Sequence, residues 1–290
     1  MDLVTVGDVM LDVSVEGSEL RTGGDVHGRV RVRPGGSAAN AAVWAAASGA
    51  RVRLHGRVGD DLAGRLVSEA MGQRGVEAVL AVDPASTTGS MLVIHGAGER
   101  SMVADRGANG RLAPGDLPET IEAGAVLVSG YPLLHEGSTA AGQAALERSR
   151  ARYVAVDAAS WPLVEAFGAP RFFEATAAAN VLLANELEAR ALTGREGEDA
   201  ADVLAQRYRV VCVKLGPKGA VMSWEGLLIR FSAEEVEEVD PTGAGDAFDG
   251  TLLAELVRGA SPGDALRLAC HAGEQVVGSH ELWPERRRPA

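Results

Sequence analysis

Short runs of β-branched and other apolar residues alternate with helical stretches along most of this 290-residue chain. These runs show no period-two alternation, which is typical of parallel strands that are covered on both faces. The predicted strands are Leu3–Val6, Val52–Leu54, Ala125–Val128, Tyr153–Val156, Val181–Leu183 and Val210–Lys214. The helices predicted between them are Ser37–Ser48, Asp61–Gln73, Glu136–Arg150, Asn185–Leu192 and Gly243–Arg258. The order predicts a three-layer αβα domain around a mostly parallel central sheet.

Two segments, residues 13–33 and 88–106, break this rhythm. Apolar and polar residues alternate in Val13–Glu16, Val30–Arg33, Met91–His95 and Ser101–Ala104, and the turn predicted at 96–99 has the sequence Gly-Ala-Gly-Glu. Because this alternation indicates that one face of the strands is exposed to solvent, we expect a separate small β-sheet. This sheet would form a lid on an α/β domain of residues 1–12, 34–87 and 107–290. Exposed lid edges favour a homodimer that pairs lid to lid. Residues 285–290 are expected to form a solvated tail.

The balance of charge excludes some partners. Forty acidic residues against 28 Lys and Arg give a formal charge of −12, which disfavours nucleic-acid binding. No run approaches the roughly 18 apolar residues of a membrane span, and an acid at position 2 is unlike a signal peptide, so a cytoplasmic protein is expected. Cys212 and Cys270 lie in apolar surroundings and are predicted to be reduced core thiols.

The segment from Asp240 to Asp246 reads Asp-Pro-Thr-Gly-Ala-Gly-Asp and opens the last predicted helix listed above. Backbone N–H groups at such a helix start form an anion site, and Gly243 and Gly245 permit a tight turn. Asp246 is either an ordinary helix N-terminal charge or a base that deprotonates an attacking hydroxyl. The segment is neither a dinucleotide fingerprint nor a Walker loop.

Other candidate site residues follow strands or open helices. Gly35 and Gly36 precede a helix that carries Asn40, which is either a ligand-binding amide or a solvated one. Asp8 and Asp12 follow the first strand, at the edge of the sheet where ligands collect. Glu188, one turn after Asn185, is either a first-turn structural acid or an Mg²⁺ ligand through water. The Lys214-to-Gly219 stretch is either a hairpin turn or a phosphate-binding loop, and it holds the only two lysines of the chain, Lys214 and Lys218.

Together these motifs resemble the ribokinase-like sugar kinases, also called the PfkB carbohydrate kinase family. The two signatures are Gly35-Gly36 with Asn40, and Asp240 to Asp246. Supporting segments occur in the family's order: Gly7-Asp8 to Asp12, Val58 to Gly64, Arg106 to Asn109, Asn185 to Glu188, and Lys214 to Gly219. The resemblance runs from about residue 3 to residue 280.

The resemblance implies ATP-dependent phosphorylation of a hydroxyl on a small sugar or sugar acid, with Mg²⁺. It makes Asp246 the general base, with the amides of Gly243, Ala244 and Gly245 on the transferring phosphoryl group. Substrate-binding positions are Asp12, Gly35, Gly36, Asn40 and Arg106. Nucleotide-binding positions are Asn185, Lys214, Gly216, Lys218, Gly219 and Thr242. Glu188 matches the acid that organises Mg²⁺, and Asp240 matches a position where some relatives bind an activating monovalent cation, so K⁺ is a candidate activator.

The acceptor is left open by the sequence. Ribokinases proper carry an acid after the strand that here ends at Ser129, and this chain has none there, which weakens ribose as the substrate. Arg106 is either a partner for a substrate carboxylate or an exposed strand-end residue. A nucleoside kinase of the same fold is the main alternative, although the predicted lid strands hold no aromatic residue. A catalytically inactive sugar-sensing module is a further alternative.

Overall fold

The computed structural model describes residues 1–17, 23–96 and 99–284, which contain fifteen strands and ten α-helices. The strands are β1 Leu3–Val6, β2 Met10–Gly17, β3 Gly28–Gly35, β4 Val52–Gly59, β5 Val76–Asp83, β6 Gly89–Gly96, β7 Glu99–Asp105, β8 Ile121–Glu122, β9 Ala125–Ser129, β10 Ser149–Arg150, β11 Tyr153–Asp157, β12 Val181–Asn185, β13 Val210–Lys214, β14 Ala220–Trp224 and β15 Leu227–Phe231. The helices are α1 Ser37–Ala47, α2 Leu62–Gln73, α3 Gly130–Leu134, α4 Thr139–Arg148, α5 Trp161–Phe167, α6 Ala169–Ala175, α7 Glu186–Thr193, α8 Gly197–Leu204, α9 Ala244–Arg258 and α10 Pro262–Val277.

Nine strands form the central sheet in the order β15-β14-β13-β12-β11-β9-β1-β4-β5. All neighbours are parallel except for β14, which pairs antiparallel with both β13 and β15. The chain builds the sheet outward from β1 in two directions, first through β4 and β5 and later through β9 to β13. The order therefore reverses between β1 and β9, and a crevice opens there at the carboxyl ends of the strands.

Two apolar cores lie on the two faces of this sheet. One core packs α1, α2, α9 and α10 against the sheet, and its members include Leu54, Val67 and Leu252. The other packs α3 to α8 on the opposite face and includes Leu133, Phe172 and Leu204, all fully buried. Burial on both faces explains why the strands read as continuous apolar runs. The predicted three-layer fold is confirmed.

A separate four-stranded sheet has the order β3-β2-β6-β7. It is the small second sheet predicted from the alternating apolar and polar residues of segments 13–33 and 88–106. Its strands are longer than the alternating segments, since β2 begins at Met10 and β3 continues to Gly35. The centre of the predicted 96–99 turn and the predicted tail at 285–290 lie outside the described residues. No helix within the described ranges is long and apolar enough to cross a membrane.

Some elements escape the sequence analysis. Strand β5 is a nearly continuous apolar run with several exposed residues because it is an edge strand, and β14 and β15 are an antiparallel extension beyond β13. Helix α10 contains Cys270, whose Ala/Leu-rich surroundings indicate a helix, although the sequence does not predict its bounds. The helix expected over Glu136–Arg150 begins only at Thr139, because the hydroxyls of Ser138 and Thr139 bond back to the carbonyl of His135 and form a turn there.

Candidate active site

A cleft of about 860 Å³ lies at the carboxyl ends of the central strands and beneath the lid sheet. Asp8, Asp157, Asn185 and Lys214 reach its lining at or just after the ends of β1, β11, β12 and β13. The lid contributes Met10, Asp12, Met91, Met102 and Ala104. The volume lies within the usual range for small-molecule sites, and the position is the crevice at the reversal of strand order.

Asp246 lies in the first turn of α9 and lines the cleft. Its two carboxylate oxygens accept hydrogen bonds from α1, one from the Ser37 hydroxyl at 2.8 Å and the other from the Asn40 Nδ2 at 2.8 Å. Burial raises the pKa of Asp246 to about 7, and the nearby Asp157 carboxylate adds to the increase, while the two hydrogen bonds oppose it. This carboxylate can therefore gain or lose a proton near neutral pH.

The turn that precedes α9 is held by its own backbone. Gly243 adopts a left-handed conformation with φ +82°, and the Asp240 carboxylate accepts the Thr242 N–H at 3.0 Å. The Ala244 N–H donates to the Pro241 carbonyl at 3.2 Å. The helix start thus presents its first amides to the cleft beside Asp246, which is the arrangement of an anion site. Because Ala244 uses its N–H in the turn, its contribution to an anion would be shared.

Lys214 lies under this turn, at the end of β13. A Cβ added to Gly245 would lie 3.4 Å from the Lys214 Nζ. The same Nζ donates to Asp157 at 2.9 Å and to both oxygens of Asp249 at 3.0 Å. Burial alone would lower the pKa of Lys214, but these carboxylates raise it, so the ammonium stays charged. The sequence analysis predicted Lys214 as a phosphate contact and did not predict its two acidic partners.

Asn185 and Glu188 form a reciprocal cap at the start of α7. The Glu188 N–H donates to the Asn185 Oδ1 at 2.9 Å, and the Glu188 carboxylate accepts the Asn185 N–H at 2.8 Å and its Nδ2 at 2.6 Å. Burial, together with Asp157, raises the pKa of Glu188 to about 7. Glu188 is therefore a structural acid in the first turn of α7, as one of the two interpretations of the sequence expects. Both side chains also line the cleft.

The donor set fits Mg²⁺ only as an ion that keeps most of its water. No group of three or more His, Cys, Asp or Glu side chains that could hold a metal occurs in the described part of the chain. Each Glu188 oxygen accepts one hydrogen bond from Asn185 and keeps a second lone pair. That capacity suits the predicted contact through water, because Mg²⁺ usually takes one or two carboxylates and substrate phosphates.

At the lid end of the cleft, Asp12 is buried and its carboxylate lies against Gly35. A Cβ at Gly35 would lie 2.1 Å from the Asp12 Oδ2, so a larger residue there would displace this carboxylate. Burial raises the pKa of Asp12 to about 6, with Arg33 opposing and Asp240 adding to the shift. Arg33 itself donates to the Asp240 Oδ2 at 3.4 Å and to the His280 carbonyl. The lid strand β3 is thus joined to the turn before α9.

Arg106 is paired within the protein. Its Nε and Nη2 donate to the two oxygens of Asp8 at 2.9 and 2.6 Å, and its Nη1 donates to the Ser138 hydroxyl at 3.1 Å. Both charged side chains are largely buried, with relative exposures of 13% for Arg106 and 4% for Asp8. The exposed strand-end alternative for Arg106 is wrong, because β7 ends at the cleft and not at the outer surface.

The structure brings most of the predicted site residues into one cleft. Those that line it are Asp12, Gly36, Asn40, Arg106, Asn185, Glu188, Lys214, Gly216, Gly219, Thr242, Gly243, Ala244, Gly245 and Asp246. Gly35, Lys218 and Asp240 lie outside the lining. Lys218 is exposed at the tip of the β13–β14 connection. Ser37, Tyr131 and Asp157 also line the cleft and were not predicted as site residues. They belong to no motif, because only the packing of the chain brings them to the cleft.

Comparison with known proteins identifies the class. The sequence matches the pfkB family carbohydrate kinases over residues 1–283. It is 32% identical over 260 residues to the 2-dehydro-3-deoxygluconokinase of Thermoproteus tenax, an alignment that covers 84% of this chain and 79% of the relative.

Two solved structures share the fold. Adenosine kinase from Sinorhizobium meliloti has a TM-score of 0.88 at 24% identity, with 98% of this chain and 95% of that chain covered. A protein designated ribokinase II from E. coli, in complex with ATP and Mg²⁺, has a TM-score of 0.85 at 22% identity, with 96% and 93% covered. The chain therefore belongs to the pfkB family of carbohydrate kinases. It is a phosphotransferase of the carbohydrate kinase type.

Proposed function

We propose that this protein transfers the γ-phosphoryl group of ATP to a hydroxyl of a small sugar or sugar acid, with Asp246 as the general base. The observation that carries the proposal is the placement of a buried carboxylate, with a pKa near 7, beside the amides that open α9. A base of this pKa is half ionised at neutral pH and can accept a hydroxyl proton during phosphoryl transfer.

The proposed step uses Asp246 and the helix start together. The acceptor oxygen bonds to the γ-phosphorus, its proton passes to Asp246, and the bond from that phosphorus to the bridging oxygen breaks to release ADP. Gly243, Ala244 and Gly245 would meet the transferring phosphoryl charge through their amides. Ser37 and Asn40 donate to Asp246 and hold its carboxylate facing the cleft.

The remaining predicted contacts divide between nucleotide and metal. Asn185, Lys214, Gly216, Gly219 and Thr242 would surround the nucleotide, and exposed Lys218 would reach it only by moving its side chain. Glu188 would hold Mg²⁺ through water. When bound with ATP, that ion neutralises charge on the phosphates. The complex of the E. coli relative with ATP and Mg²⁺ supports ATP and Mg²⁺ as the ligands of this cleft.

The acceptor is proposed to contact Asp12, Gly36 and Asn40. Arg106 bears on the choice between a neutral sugar and a sugar acid. The 2-dehydro-3-deoxygluconokinase relative favours an acid, whereas the Asp8 carboxylate already satisfies two nitrogens of Arg106 and favours a neutral acceptor. A nucleoside acceptor is the second candidate, because Met10, Met91 and Tyr131 give the cleft apolar and aromatic surface. ADP release measured with ketoses, pentoses, sugar acids and nucleosides separates these classes.

Activation by K⁺ stays a prediction from the family resemblance. Arg33 bears on it because its guanidinium places a positive charge 3.4 Å from the Asp240 Oδ2. An added cation at Asp240 would share that carboxylate with Arg33 and would face its repulsion. We propose that Arg33 supplies part of the charge that a monovalent cation would bring to this turn.

Replacing the base tests the proposal. Asp246→Asn is expected to bind ATP within about twofold of the wild-type affinity and to lose about 10²–10⁴-fold in kcat, because the amide cannot accept the hydroxyl proton. Turnover by ADP release and ATP affinity by calorimetry are the measurements. Asp264→Asn is the matched control: it makes the same change in the first turn of α10, where the side chain is exposed and caps with Ser261. Near-wild-type kcat in Asp246→Asn would remove Asp246 as the base.

A further inference from the structure

Residues Leu282 to Pro284 form a segment that follows α10 and lies along α1, and we call it the closing segment. Trp283 is buried, with 9% relative exposure, and its indole N–H donates to the Asn40 Oδ1 at 2.9 Å. Asn40 in turn donates its Nδ2 to the Asp246 Oδ2 at 2.8 Å. An indole and a carboxylate are thus joined through one amide.

The donor and acceptor chemistry of these three groups permits one arrangement. An indole nitrogen only donates, and an ionised carboxylate only accepts. With the Trp283 N–H on its oxygen, the Asn40 amide can offer only its NH₂ to Asp246. Without that N–H, the amide could turn over and present its oxygen, which would accept a hydrogen bond from the O–H of protonated Asp246. Trp283 therefore selects the amide orientation that favours the ionised base.

The closing segment is anchored independently of Asn40. The Trp44 indole N–H, one helical turn after Asn40 on α1, donates to the Leu282 carbonyl at 3.0 Å. The Arg74 guanidinium lies 5.2 Å from the Trp283 ring centroid and also donates to the Pro284 carbonyl. These contacts fix the indole, so its N–H remains aimed at Asn40.

The same segment also touches the helix that carries Asp246. A Cβ added to Gly243 would lie 2.3 Å from the Leu282 Cδ1, so Leu282 fills the space beside the left-handed glycine. The closing segment therefore contacts both sides of the Asn40–Asp246 hydrogen bond.

We propose that Trp283 is a positioning residue for the phosphoryl-transfer reaction, acting through Asn40 to keep Asp246 in its ionised, hydroxyl-accepting state. This rests on the proposed role of Asp246. The other charged and titratable groups that influence Asp246 are Asp157, Glu188, Lys214 and Tyr131, which belong to other elements.

Trp283→Phe tests the proposal because it keeps an aromatic ring for Arg74 and removes only the N–H and part of the ring. Loss of donation by Asn40 should raise the pKa of Asp246, since a hydrogen bond to the charged form favours that form. If the pKa of Asp246 rises by about one unit, kcat is expected to fall to about a tenth of the wild-type value at pH 6 and to return close to it at pH 9. The KM for ATP should stay within about twofold.

Two further variants separate positioning from stability. Trp224→Phe makes the same change at a partly buried tryptophan that packs on Tyr153 at the end of β14, and its pH profile should match wild type. In an Asn40→Ala background, adding Trp283→Phe should shift the profile no further, because the relay is already broken. If Trp283→Phe does not fold, Trp44→Phe removes one anchor of the closing segment, the hydrogen bond to the Leu282 carbonyl, and should give a smaller loss of kcat at low pH.

The outcomes distinguish this inference from the proposed function. An equal loss of kcat at every pH, or an additive effect in the Asn40→Ala background, would mean that Trp283 only stabilises the fold. A wild-type pH profile for Trp283→Phe, alongside an inactive Asp246→Asn, would overturn the relay alone. An active Asp246→Asn would instead overturn the assignment of the base.

Discussion

The chemistry of the cleft depends on buried carboxylates whose charge costs free energy in the folded protein. Asp246, Asp249 and Glu188 each interact with the Asp157 carboxylate, and Lys214 is the cation that all three share. Burial raises the pKa of Asp249 well above its usual range. Close, buried carboxylates of this kind favour the protonated form of one another. Bound ATP with its metal would change the proportion that is protonated. The local charge therefore says more about nucleotide binding than the net charge of −12.

This cluster predicts an unusual dependence of stability on pH. Asp246 has a pKa of about 7 when folded against 3.8 for the ordinary side chain, so the folded state binds more protons between these values. The free energy of unfolding therefore falls as pH rises from about 4 to 7, and Asp12 contributes in the same direction up to about pH 6. Thermal unfolding of the ligand-free protein should give a lower Tm at pH 8 than at pH 5.

Asp246→Asn should make that fall in Tm smaller by roughly 3 °C or more, because the buried charge is gone. Asp264→Asn, whose carboxylate is exposed, should retain the wild-type difference between the two pH values. An unchanged slope in Asp246→Asn would show that Asp246 does not titrate in this window.

At the scale of elements, the packing of α1 on α9 brings Ser37 and Asn40 to Asp246. The contact is close because Gly250 of α9 lies on the backbone of α1. A Cβ at Gly250 would lie 2.1 Å from the Ala41 carbonyl oxygen, which cannot move without the helix. The hydrogen bonds of Asp246, the proposed base, thus depend on the distance between two helices.

Gly250→Ala is expected to force these helices apart, to lower the free energy of unfolding by about 1–3 kcal/mol and to reduce kcat. Gly72→Ala is the matched control, since Gly72 lies in α2 with open space around it, and it should raise stability by about 0.5–1 kcal/mol. Denaturant unfolding and kcat measure both effects. A wild-type kcat in a folded Gly250→Ala protein would contradict the dependence of the base on helix spacing.

The elements also show what sequence patterns leave out. Gly36 is a predicted substrate-binding position, and its φ of +99° and a Cβ position 2.4 Å from the Asp8 carbonyl show that contact between β1 and α1 by itself already requires a glycine. Ser37 has the residue type of a helix cap. It is instead the first residue of α1, and its hydroxyl donates to Asp246, 209 positions away. Local patterns do not encode such distant contacts.

For the whole molecule, the lid sheet has two different faces. Paired rows Asp12–Met91–Ala104 and Ser14–Val93–Met102 belong to the face turned toward the cleft. The opposite face carries Val13, Val15, Val30, Val32, Leu92, Ile94 and Val103. Val32 and Val103 on it are 55% and 63% exposed. A continuous apolar face of this kind is typical of a protein–protein contact.

We propose that this outer face, and not only the exposed edges, joins two copies of the chain. Light scattering should give about twice the 30.0 kDa chain mass. Val32→Asp should yield a monomer, because a carboxylate would be buried at the contact without a partner. Val79→Asp, at an edge strand of the central sheet with 43% exposure, should leave the mass unchanged. A monomeric wild-type protein would exclude the lid-to-lid dimer.

The sequence by itself determined the layered fold, the lid as a separate sheet, and Asp246 with its glycines as candidate residues that the structure places in the cleft. These features follow from periodicity and from residues adjacent in the chain, which a linear pattern records directly. Only the tertiary structure decided the partners: Ser37 and Asn40 on Asp246, Asp157 and Asp249 on Lys214, Asp8 on Arg106, and Trp283 on Asn40. Each of these contacts joins side chains from distant parts of the sequence. Their charges and hydrogen bonds exist only after the strands and helices have packed, and they set the protonation state of the base.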